Sequence, residues 1–213
     1  MPTSGRGGVV VTAEPTVFVV DDDETVRESV RTLVGSVGLP AEAYGTAADF
    51  LAGCSGERSG CVVCDVRLPG MSGLELQHEL AARNQVLPVI LITGFGDVST
   101  AVRAMRAGAV DFIEKPFGRQ LLLDRVHEAI DRDRRARLLG AQRRSVAMRV
   151  GRLTPREREV MALVVAGKAN KVIAMDLGLC EKTIEVHRAH VMRKMEAESL
   201  AELVRLNVLL RSE

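Results

Sequence analysis

The chain has 213 residues, of which 46% are hydrophobic and 27% are charged, and this composition excludes a disordered, collagen-like or coiled-coil protein. No apolar run approaches the roughly 18 residues of a membrane span and the amino terminus lacks an apolar signal segment, so we expect a cytoplasmic protein of one or two domains without membrane contact. The net charge of +1 conceals an acidic half, residues 1–131 with a charge of −7, and a basic half, residues 132–213 with a charge of +8, which is the candidate for binding nucleic acid.

Residues 1–15 are rich in Gly, Pro, Ser and Thr and are predicted to form a flexible tail. From Thr16 onward, short apolar runs alternate with stretches of helical periodicity, which predicts an α/β doubly wound parallel sheet of five strands with helices on both faces. The predicted strands are 16–20, 40–44, 61–64, 88–92 and 109–114. The helices between them are indicated by Val26, Val30, Leu33 and Val37, by a capping box at Ser72 and Glu75, and by Val98, Ala101, Val102 and Met105.

The four cysteines do not form a zinc or disulfide motif. Cys61 and Cys64 lie three residues apart in GCVVCDV, and residues at that spacing on a strand point to opposite faces. No pair of histidines completes a zinc set. We therefore expect free, mostly buried thiols at Cys54, Cys61, Cys64 and Cys180.

The last helix of the acidic half is predicted to begin near Gly118 and to continue into a stretch with eight arginines between residues 132 and 152. We interpret residues 132–151 as a helical extension that becomes a linker. A solvated basic helix is the favoured interpretation of the arginines, and direct contact with DNA is the alternative.

A small domain of four helices is predicted over residues 152–213. Its second and third helices, joined by a tight glycine turn, form a helix-turn-helix. The first helix is predicted to begin at a capping box of Thr154 and Glu157, with Pro155 at the first helical position. The second is predicted to be capped by Asn170 and to end at Gly178, and the third to span residues 181–195. The fourth is predicted to begin at a cap of Ser199 with Glu202.

Polar side chains follow four of the predicted strands. Because ligands of parallel sheets gather beyond the carboxyl ends of the strands, we expect these side chains to lie together. Clustered carboxylates repel, so a divalent cation, a proton or a lysine must compensate, and oxygen ligands favour Mg²⁺. The residues are Asp21, Asp22 and Asp23 after the first strand, Asp65 after the third, Thr93 after the fourth and Lys115 after the last.

The segments VVDDD, CDVRLPGMSG, LITGFGD and DFIEKPF resemble the receiver domain of two-component response regulators over residues 16–131. The resemblance implies that Asp65 is the nucleophile that accepts a phosphoryl group from a sensor histidine kinase, and that Lys115 offsets the charge of that group. It implies that Asp22 ligates Mg²⁺ directly, Asp21 through water and Arg67 through its carbonyl. It also implies that Thr93 donates its hydroxyl to the phosphoryl group and that Phe112 follows Thr93 in a conformational switch.

The segment LTPREREVMALVVAGKANKVIAMDLGLCEKTIEVHRAHVMRKM resembles the LuxR-type helix-turn-helix, and nearly the whole chain from Thr16 resembles the FixJ-like response regulators. The implied partner is double-stranded DNA, and the absence of Phe, Tyr and Trp after Phe117 disfavours single strands. Cys180 stands where the family usually has a Ser or Thr cap, which weakens the start of the recognition helix. The implied contacts are Glu185, Val186 and Ala189 to bases and Lys171, Lys182 and Thr183 to phosphates, with His190 and Arg193 on the same side of the helix.

The leading hypothesis is a transcription factor that forms a homodimer when phosphorylated, pairs two recognition helices on DNA and contacts RNA polymerase. A phosphohydrolase is the first alternative, but such enzymes commonly carry a second Asp two residues after the nucleophile, where this chain has Arg67. We therefore expect no enzyme activity beyond slow self-dephosphorylation. A vestigial receiver is the second alternative, and the presence of all five switch residues argues against it: Asp21, Asp22, Asp65, Thr93 and Lys115.

Overall fold

A computed structural model describes residues 14–54, 58–83 and 85–211, so the predicted tail lies outside the described residues except for 14 and 15. The chain separates into two compact units between Ala136 and Arg137. The first unit contains β1 (Thr16–Val20), α1 (Glu24–Gly35), β2 (Ala41–Tyr44), α2 (Ala47–Gly53), β3 (Gly60–Asp65), α3 (Gly73–Ala82), β4 (Val89–Thr93), α4 (Val98–Arg106), β5 (Asp111–Glu114) and α5 (Arg119–Gly151) as far as Ala136. The second unit contains the rest of α5, α6 (Pro155–Val165), α7 (Asn170–Leu177), α8 (Glu181–Met195) and α9 (Leu200–Arg211).

The first unit is built on the predicted parallel sheet of five strands, whose order is β2-β1-β3-β4-β5. The central strands β3 and β4 are buried at every residue, which explains their continuous apolar sequences. Helices α1 and α5 pack on one face, and α2, α3 and α4 pack on the other. The strand order reverses between β1 and β3, and the carboxyl ends of strands at such a point form the usual ligand crevice of open α/β sheets.

The cysteines of β3 confirm the predicted alternation of faces. Cys61 contributes to the core beneath α1 and α5, whereas Cys64 contributes to the core beneath α2, α3 and α4. All four thiols are free, and burial raises the pKa of Cys61 to about 12 and also raises the pKa of Cys64. Cys54 is only half-buried and Cys180 is exposed, so the expectation of buried thiols is correct for two of the four.

Helix α5 is continuous from Arg119 to Gly151 and therefore includes the whole stretch interpreted as an extension and linker. Within it, Asp133 is only 1% exposed. Its Oδ2 accepts hydrogen bonds from Ser59 Oγ and from the backbone N–H of Gly60, each at 3.0 Å. Gly60 has a φ of +132°, and a Cβ at this position would lie 1.8 Å from the carbonyl oxygen of Thr16, so the tight approach requires glycine. These contacts tie α5 to the amino end of β3.

Asp133→Ala is expected to lower the free energy of unfolding by about 1–3 kcal/mol, because the buried N–H of Gly60 loses its acceptor. Urea unfolding of the full chain measures the change. The control is Asp131→Ala, which removes an exposed carboxylate two residues earlier on α5 and is expected to change stability by less than about 0.5 kcal/mol. Equal effects of the two substitutions would show that the bond to Gly60 contributes nothing.

Both predicted capping boxes are formed, by Ser72 with Glu75 at α3 and by Thr154 with Glu157 at α6. The predicted Asn170 cap is wrong. Ala169 occupies the cap position of α7 without a side-chain hydrogen bond, and Oδ1 of Asn170 instead accepts a hydrogen bond from Arg188 of α8 at 2.5 Å. This contact between α7 and α8 replaces the local capping bond.

Three further residues with predicted helix roles lie at or near helix ends: Val37, Cys180 and Ser199. The helical periodicity assigns Val37 to α1, but Val37 lies beyond the end of that helix and is exposed. Cys180 occupies the cap position of α8 and, as expected, makes no side-chain capping bond. Ser199 Oγ accepts a hydrogen bond from the N–H of Glu202 at 3.1 Å, as predicted for the start of α9.

The second unit is a helical bundle whose core includes residues from α5 to α9. Ile184, Val191 and Met195 of α8 are buried in it, and Val146 of α5 is buried in the same cluster. The turn between α7 and α8 begins at Gly178, which has the left-handed conformation that ends many helices. Across the described residues, none of the helices combines the length and the apolar character needed to span a bilayer.

Glu157 links the start of α6 to the end of α8. It is 3% exposed, and its Oε2 accepts hydrogen bonds from Lys194 Nζ at 2.6 Å and from the N–H of Thr154 at 2.8 Å. His190 Nδ1 lies 3.6 Å from its other oxygen. The bonds from Lys194 and Thr154 lower the pKa of Glu157 to about 2, so its carboxylate stabilises the bundle in the charged form.

Glu157→Gln is expected to lower the unfolding temperature at neutral pH, and the difference from the wild type is expected to shrink as the pH falls. The carboxyl has a pKa of about 2 in the folded chain and an ordinary value of 4.5, so its stabilisation is complete above pH 4.5 and is lost between pH 4.5 and about 2. Thermal unfolding at several pH values measures the difference in unfolding temperature between the wild type and Glu157→Gln. Glu159→Gln, on the exposed side of α6, is the control, and a pH-independent difference for Glu157→Gln would contradict the assignment.

Candidate functional site

Three carboxylates meet at the carboxyl ends of β1 and β3, as the strand-end pattern predicted. Asp21, Asp22 and Asp65 each offer an oxygen within 4.8 Å of the others. Asp21 is fully buried, Asp65 is nearly so, and Asp22 is exposed. Because Val20 and Cys64 are register partners in the parallel pair, the residue that follows each of them reaches the same edge of the sheet. The site is therefore a negatively charged crevice with one open side.

Lys115 reaches this crevice from the end of β5. Its Nζ donates hydrogen bonds to Asp21 Oδ2 at 2.7 Å and to Asp65 Oδ2 at 2.5 Å. Burial raises the pKa of Asp21, and the bonds from Lys115 and from the N–H of Asp23 only partly oppose this. Burial alone would lower the pKa of Lys115, but its bonds to Asp21 and Asp65 outweigh burial and place the pKa above its ordinary value. One ammonium thus faces three carboxylates.

The donor set fits a divalent cation. It consists of hard carboxylate oxygens, and the ammonium of Lys115 leaves an excess of negative charge among them. Mg²⁺ prefers oxygen ligands and is usually held by one or two carboxylates together with substrate oxygens and water. The burial of Asp21 without a full counter-charge is the observation that favours a cation here.

Backbone contacts hold the carboxylates in place. Asp65 Oδ1 accepts the N–H of Arg67 at 2.7 Å, and Asp21 Oδ1 accepts the N–H of Asp23 at 3.0 Å. Arg27 of α1 donates through Nη1 to the carbonyl oxygens of Asp21 at 2.7 Å and Asp22 at 3.0 Å. Arg27 is not predicted from the sequence, where its only signal is its position one helical turn after the acidic run. Asp23 caps α1 by accepting the N–H of Thr25 at 2.8 Å.

Thr93 is fully buried at the end of β4, and its hydroxyl is engaged by its own loop. Oγ1 donates to the carbonyl oxygen of Phe95 at 3.3 Å and accepts the N–H of Phe95 at 3.2 Å. The exposed Phe95 ring lies 4.7 Å from the guanidinium of Arg67, so a cation–π contact joins the loops after β3 and β4. Phe112 is partly buried against the core on the side of α2, α3 and α4. The structure thus brings Lys115 onto Asp65 but leaves Thr93 turned toward Phe95.

Helix α4 forms where predicted, but its apolar residues point outward. Val98 is 81% exposed, Val102 and Met105 are close to half exposed, and Ala104 is the residue of this helix that is buried. Val98, Val102 and Met105 follow helical spacing and so share one side of the helix, and Phe95, which precedes the helix, is also exposed. Such a surface is typical of protein association.

Helix α8 presents the predicted outer side to solvent. Lys182, Glu185, Val186, Ala189 and Arg193 are all exposed. Lys182 Nζ lies 3.0 Å from Glu185 Oε2, so this surface carries an internal ion pair. The small Ala189 side chain leaves room for close approach at the middle of the helix.

The other predicted contact residues have more constrained positions. Lys171 is exposed at the start of α7, whereas Thr183 is half-buried and its hydroxyl lies 3.0 Å from Cys180 Sγ. His190 lies beside Glu157, and 45% of its side chain is exposed. Arg188 was missed by the sequence analysis, although it joins α8 to Asn170.

Two family models match the chain, each over one of the two regions just described. The response regulator receiver domain matches residues 17–127, and the bacterial regulatory proteins of the luxR family match residues 151–207. The chain belongs to the two-component response regulators that join a receiver to a LuxR-type DNA-binding domain. The expected family and fold class are therefore confirmed.

Relatives of this response regulator extend over almost its whole length. Nodulation protein W of Bradyrhizobium diazoefficiens is 46% identical over 95% of this chain and 90% of its own. The transcriptional regulatory protein FixJ of Azorhizobium caulinodans is 48% identical over 91% of this chain and 92% of its own. The structure of the response regulator StyR has 43% identity and a TM-score of 0.81, covering 92% of this chain and 99% of StyR. The structure of full-length FixJ from B. japonicum has 42% identity and a TM-score of 0.57, covering 94% of this chain and 98% of the FixJ chain.

Proposed function

We propose that Asp65 of this response regulator accepts a phosphoryl group from a sensor histidine kinase, and that this modification controls its binding to duplex DNA. The observation that carries the proposal is the position of Asp65 at the end of β3, with Lys115 Nζ on one carboxylate oxygen and the carboxylates of Asp21 and Asp22 beside it. A cytoplasmic location belongs to the proposal because the target is DNA.

The residues of the crevice divide the chemistry among them. An oxygen of Asp65 attacks the phosphorus of the kinase phosphohistidine, the phosphorus–nitrogen bond breaks, and the imidazole leaves. Asp22, Asp21 and Asp65, with the carbonyl of Arg67, would hold Mg²⁺, which supplies positive charge for the phosphoryl oxygens. Lys115 adds a fixed positive charge at the acceptor.

Thr93 and Phe112 would then transmit the modification. The hydroxyl of Thr93 exchanges its bonds with the Phe95 backbone for a bond donated to a phosphoryl oxygen. That movement displaces the loop before α4, and Phe112, which is only partly buried, follows it. Arg67 occupies the position where phosphohydrolases carry an acid/base Asp and instead contacts Phe95, which supports slow self-dephosphorylation at most.

The exposed apolar surface of α4 supports association of two receivers. Val98, Val102 and Met105 with Phe95 provide an apolar patch whose shape depends on the loop that Thr93 controls. A phosphorylated homodimer would present two α8 helices to a pair of half-sites in duplex DNA, and RNA polymerase would be the further partner.

The second unit supplies the candidate DNA contacts. We propose that α8 enters the major groove with Glu185, Val186 and Ala189 toward base edges. Lys171, Lys182 and Thr183 are proposed to contact phosphates. His190 and Arg193, on the same side of α8, are proposed as further DNA contacts. In this scheme the receiver spans residues 16–131, the helical extension and linker 132–151, and the DNA-binding domain 152–213.

Incubation of the full chain with a small phosphodonor, with and without Mg²⁺, tests the proposal. The expected result is a gain of one phosphoryl group that requires Mg²⁺, a shift from monomer to dimer in native mass measurement, and tighter binding to duplex DNA. A gain without any change in oligomeric state or in DNA binding would contradict the switch. No gain would favour a receiver that has lost phosphorylation.

A further inference from the structure

The positive charge of the second unit is concentrated at one end of its sequence. Residues 137–152 contain five arginines and no acidic residue. Residues 153–213, which include the entire helix-turn-helix, contain ten Lys and Arg against nine Asp and Glu. Five of the six net positive charges of the unit therefore lie on the end of α5 and the residue that follows it.

Several cations of the helix-turn-helix form ion pairs with nearby carboxylates. Lys182 Nζ lies 3.0 Å from Glu185, Lys168 Nζ lies 2.7 Å from Asp176, and Lys194 Nζ lies 2.6 Å from Glu157. Proteins gain much of their affinity for duplex DNA from cations that contact phosphates and release condensed counterions. These ion pairs reduce the attraction that the helix-turn-helix supplies, so a further cationic surface would add to the phosphate contacts proposed for Lys171 and Lys182.

The end of α5 is fixed to the same bundle as α8. Val146 is buried in the core that contains Ile184 and Val191 of α8. Arg149 Nη1 donates to the carbonyl oxygen of Met195, the last residue of α8, at 3.0 Å, and Nη2 lies 2.9 Å from Glu196 Oε2. The arginines of this segment are therefore held at a defined position relative to the recognition helix.

We propose that the arginine-rich end of α5, residues 137–152, contacts the backbone phosphates of duplex DNA next to the site that α8 occupies. Arg143, Arg144 and Arg152 are exposed, while Val146 faces the core. Arg152 Nη1 also lies 3.8 Å from Glu196 Oε1, and 65% of the Arg152 side chain remains exposed. A guanidinium donates two parallel hydrogen bonds to phosphate oxygens. This inference rests on the proposed DNA-binding function and adds a second set of phosphate contacts, on α5, to those proposed for Lys171, Lys182 and Thr183.

The test is the salt dependence of binding to a mixed-sequence duplex, since sequence-independent affinity reports phosphate contacts without knowledge of the operator. The variant to be compared with the wild type is the full chain with both Arg143→Gln and Arg144→Gln. Each lost phosphate contact reduces the slope of log K against log salt by about 0.9, so the slope is expected to fall by about 1.8 for each bound protomer. Glutamine and arginine have similar helix propensities, so α5 is retained.

Two matched variants separate a contact from a general change of charge. Arg143→Lys with Arg144→Lys keeps the charge and is expected to keep the slope. Arg205→Gln with Arg211→Gln removes the same charge from exposed positions on α9 of the same unit and is expected to leave the slope unchanged.

The outcomes distinguish the inference from the function on which it rests. An unchanged slope for the α5 glutamine variant, with the wild type still bound, overturns the contact and leaves the proposed function in place. Equal losses for the α5 and α9 variants also overturn it, because they would show a response to total charge. A wild type that fails to bind duplex DNA even at low salt overturns the proposed function, and the inference fails with it.

Discussion

Asp65→Asn is expected to abolish phosphoryl uptake from a small phosphodonor in the presence of Mg²⁺, with the labelled fraction falling below detection. The amide oxygen carries no full negative charge and cannot form the acyl phosphate that the carboxylate forms. The change removes little volume, and the amide oxygen can still accept the N–H of Arg67, so the fold is expected to remain. Intact mass spectrometry of the wild type and the variant measures the effect.

Two aspartates provide controls for this result. Asp22→Asn removes the exposed carboxylate of the same cluster but keeps the nucleophile, so uptake is expected to be slower without being abolished. Asp124→Asn changes an exposed aspartate of α5 outside the crevice and is expected to label normally. Undiminished labelling of Asp65→Asn would place the acceptor at another residue.

The acidic crevice could be predicted from the sequence because its geometry follows from topology. Lys115 and Asp21 are 94 residues apart, yet each directly follows a parallel strand, and parallel strands deliver such residues to one edge of the sheet. The same reasoning could not find Arg27. Its contact with the carbonyl oxygens of Asp21 and Asp22 depends on the rotamer of a long side chain on α1, and residue spacing does not determine a rotamer.

The orientation of helix faces was harder to predict than the helices themselves. Periodicity located α4, but the same pattern is produced by a side that faces a core and by a side that faces solvent. Val98 and Met105 lie on a side of α4 that faces solvent. Local preference also failed at Asn170, where an asparagine that favours capping makes a bond to Arg188, eighteen residues later, because packing of α7 on α8 brings the two together.

Asp133 shows why a charged run can hide a structural residue. Its neighbours in sequence are arginines, and such a run is usually a solvated helix side. Only the fold reveals that its acceptor oxygen meets the backbone N–H of Gly60 at the start of β3. The run is therefore not uniform: Asp133 anchors α5 to the first unit, and the exposed Arg143 and Arg144 follow about three turns later in the second.

Ala189→Glu is expected to weaken binding to duplex DNA at least about tenfold at matched salt, because it places a carboxylate where α8 would approach the groove. The new side chain would also stand one turn after Glu185, so two anions would face the phosphates together. Alanine and glutamate both favour helices, and Ala189 is exposed, so α8 is expected to keep its fold. Gel-shift titration of the full chain with a mixed-sequence duplex measures the affinity.

The matched control is Ala201→Glu, which adds the same charge at an exposed position on α9. If both variants lose affinity equally, the effect comes from the net charge of the unit, and the approach of α8 to the groove is not supported. If Ala189→Glu alone loses affinity while its salt slope stays close to that of the wild type, the phosphate contacts are retained and the lost contact lies within the groove. That result would separate base reading on α8 from the attraction assigned to the end of α5, because loss of a contact within the groove and loss of a phosphate contact change the salt dependence differently.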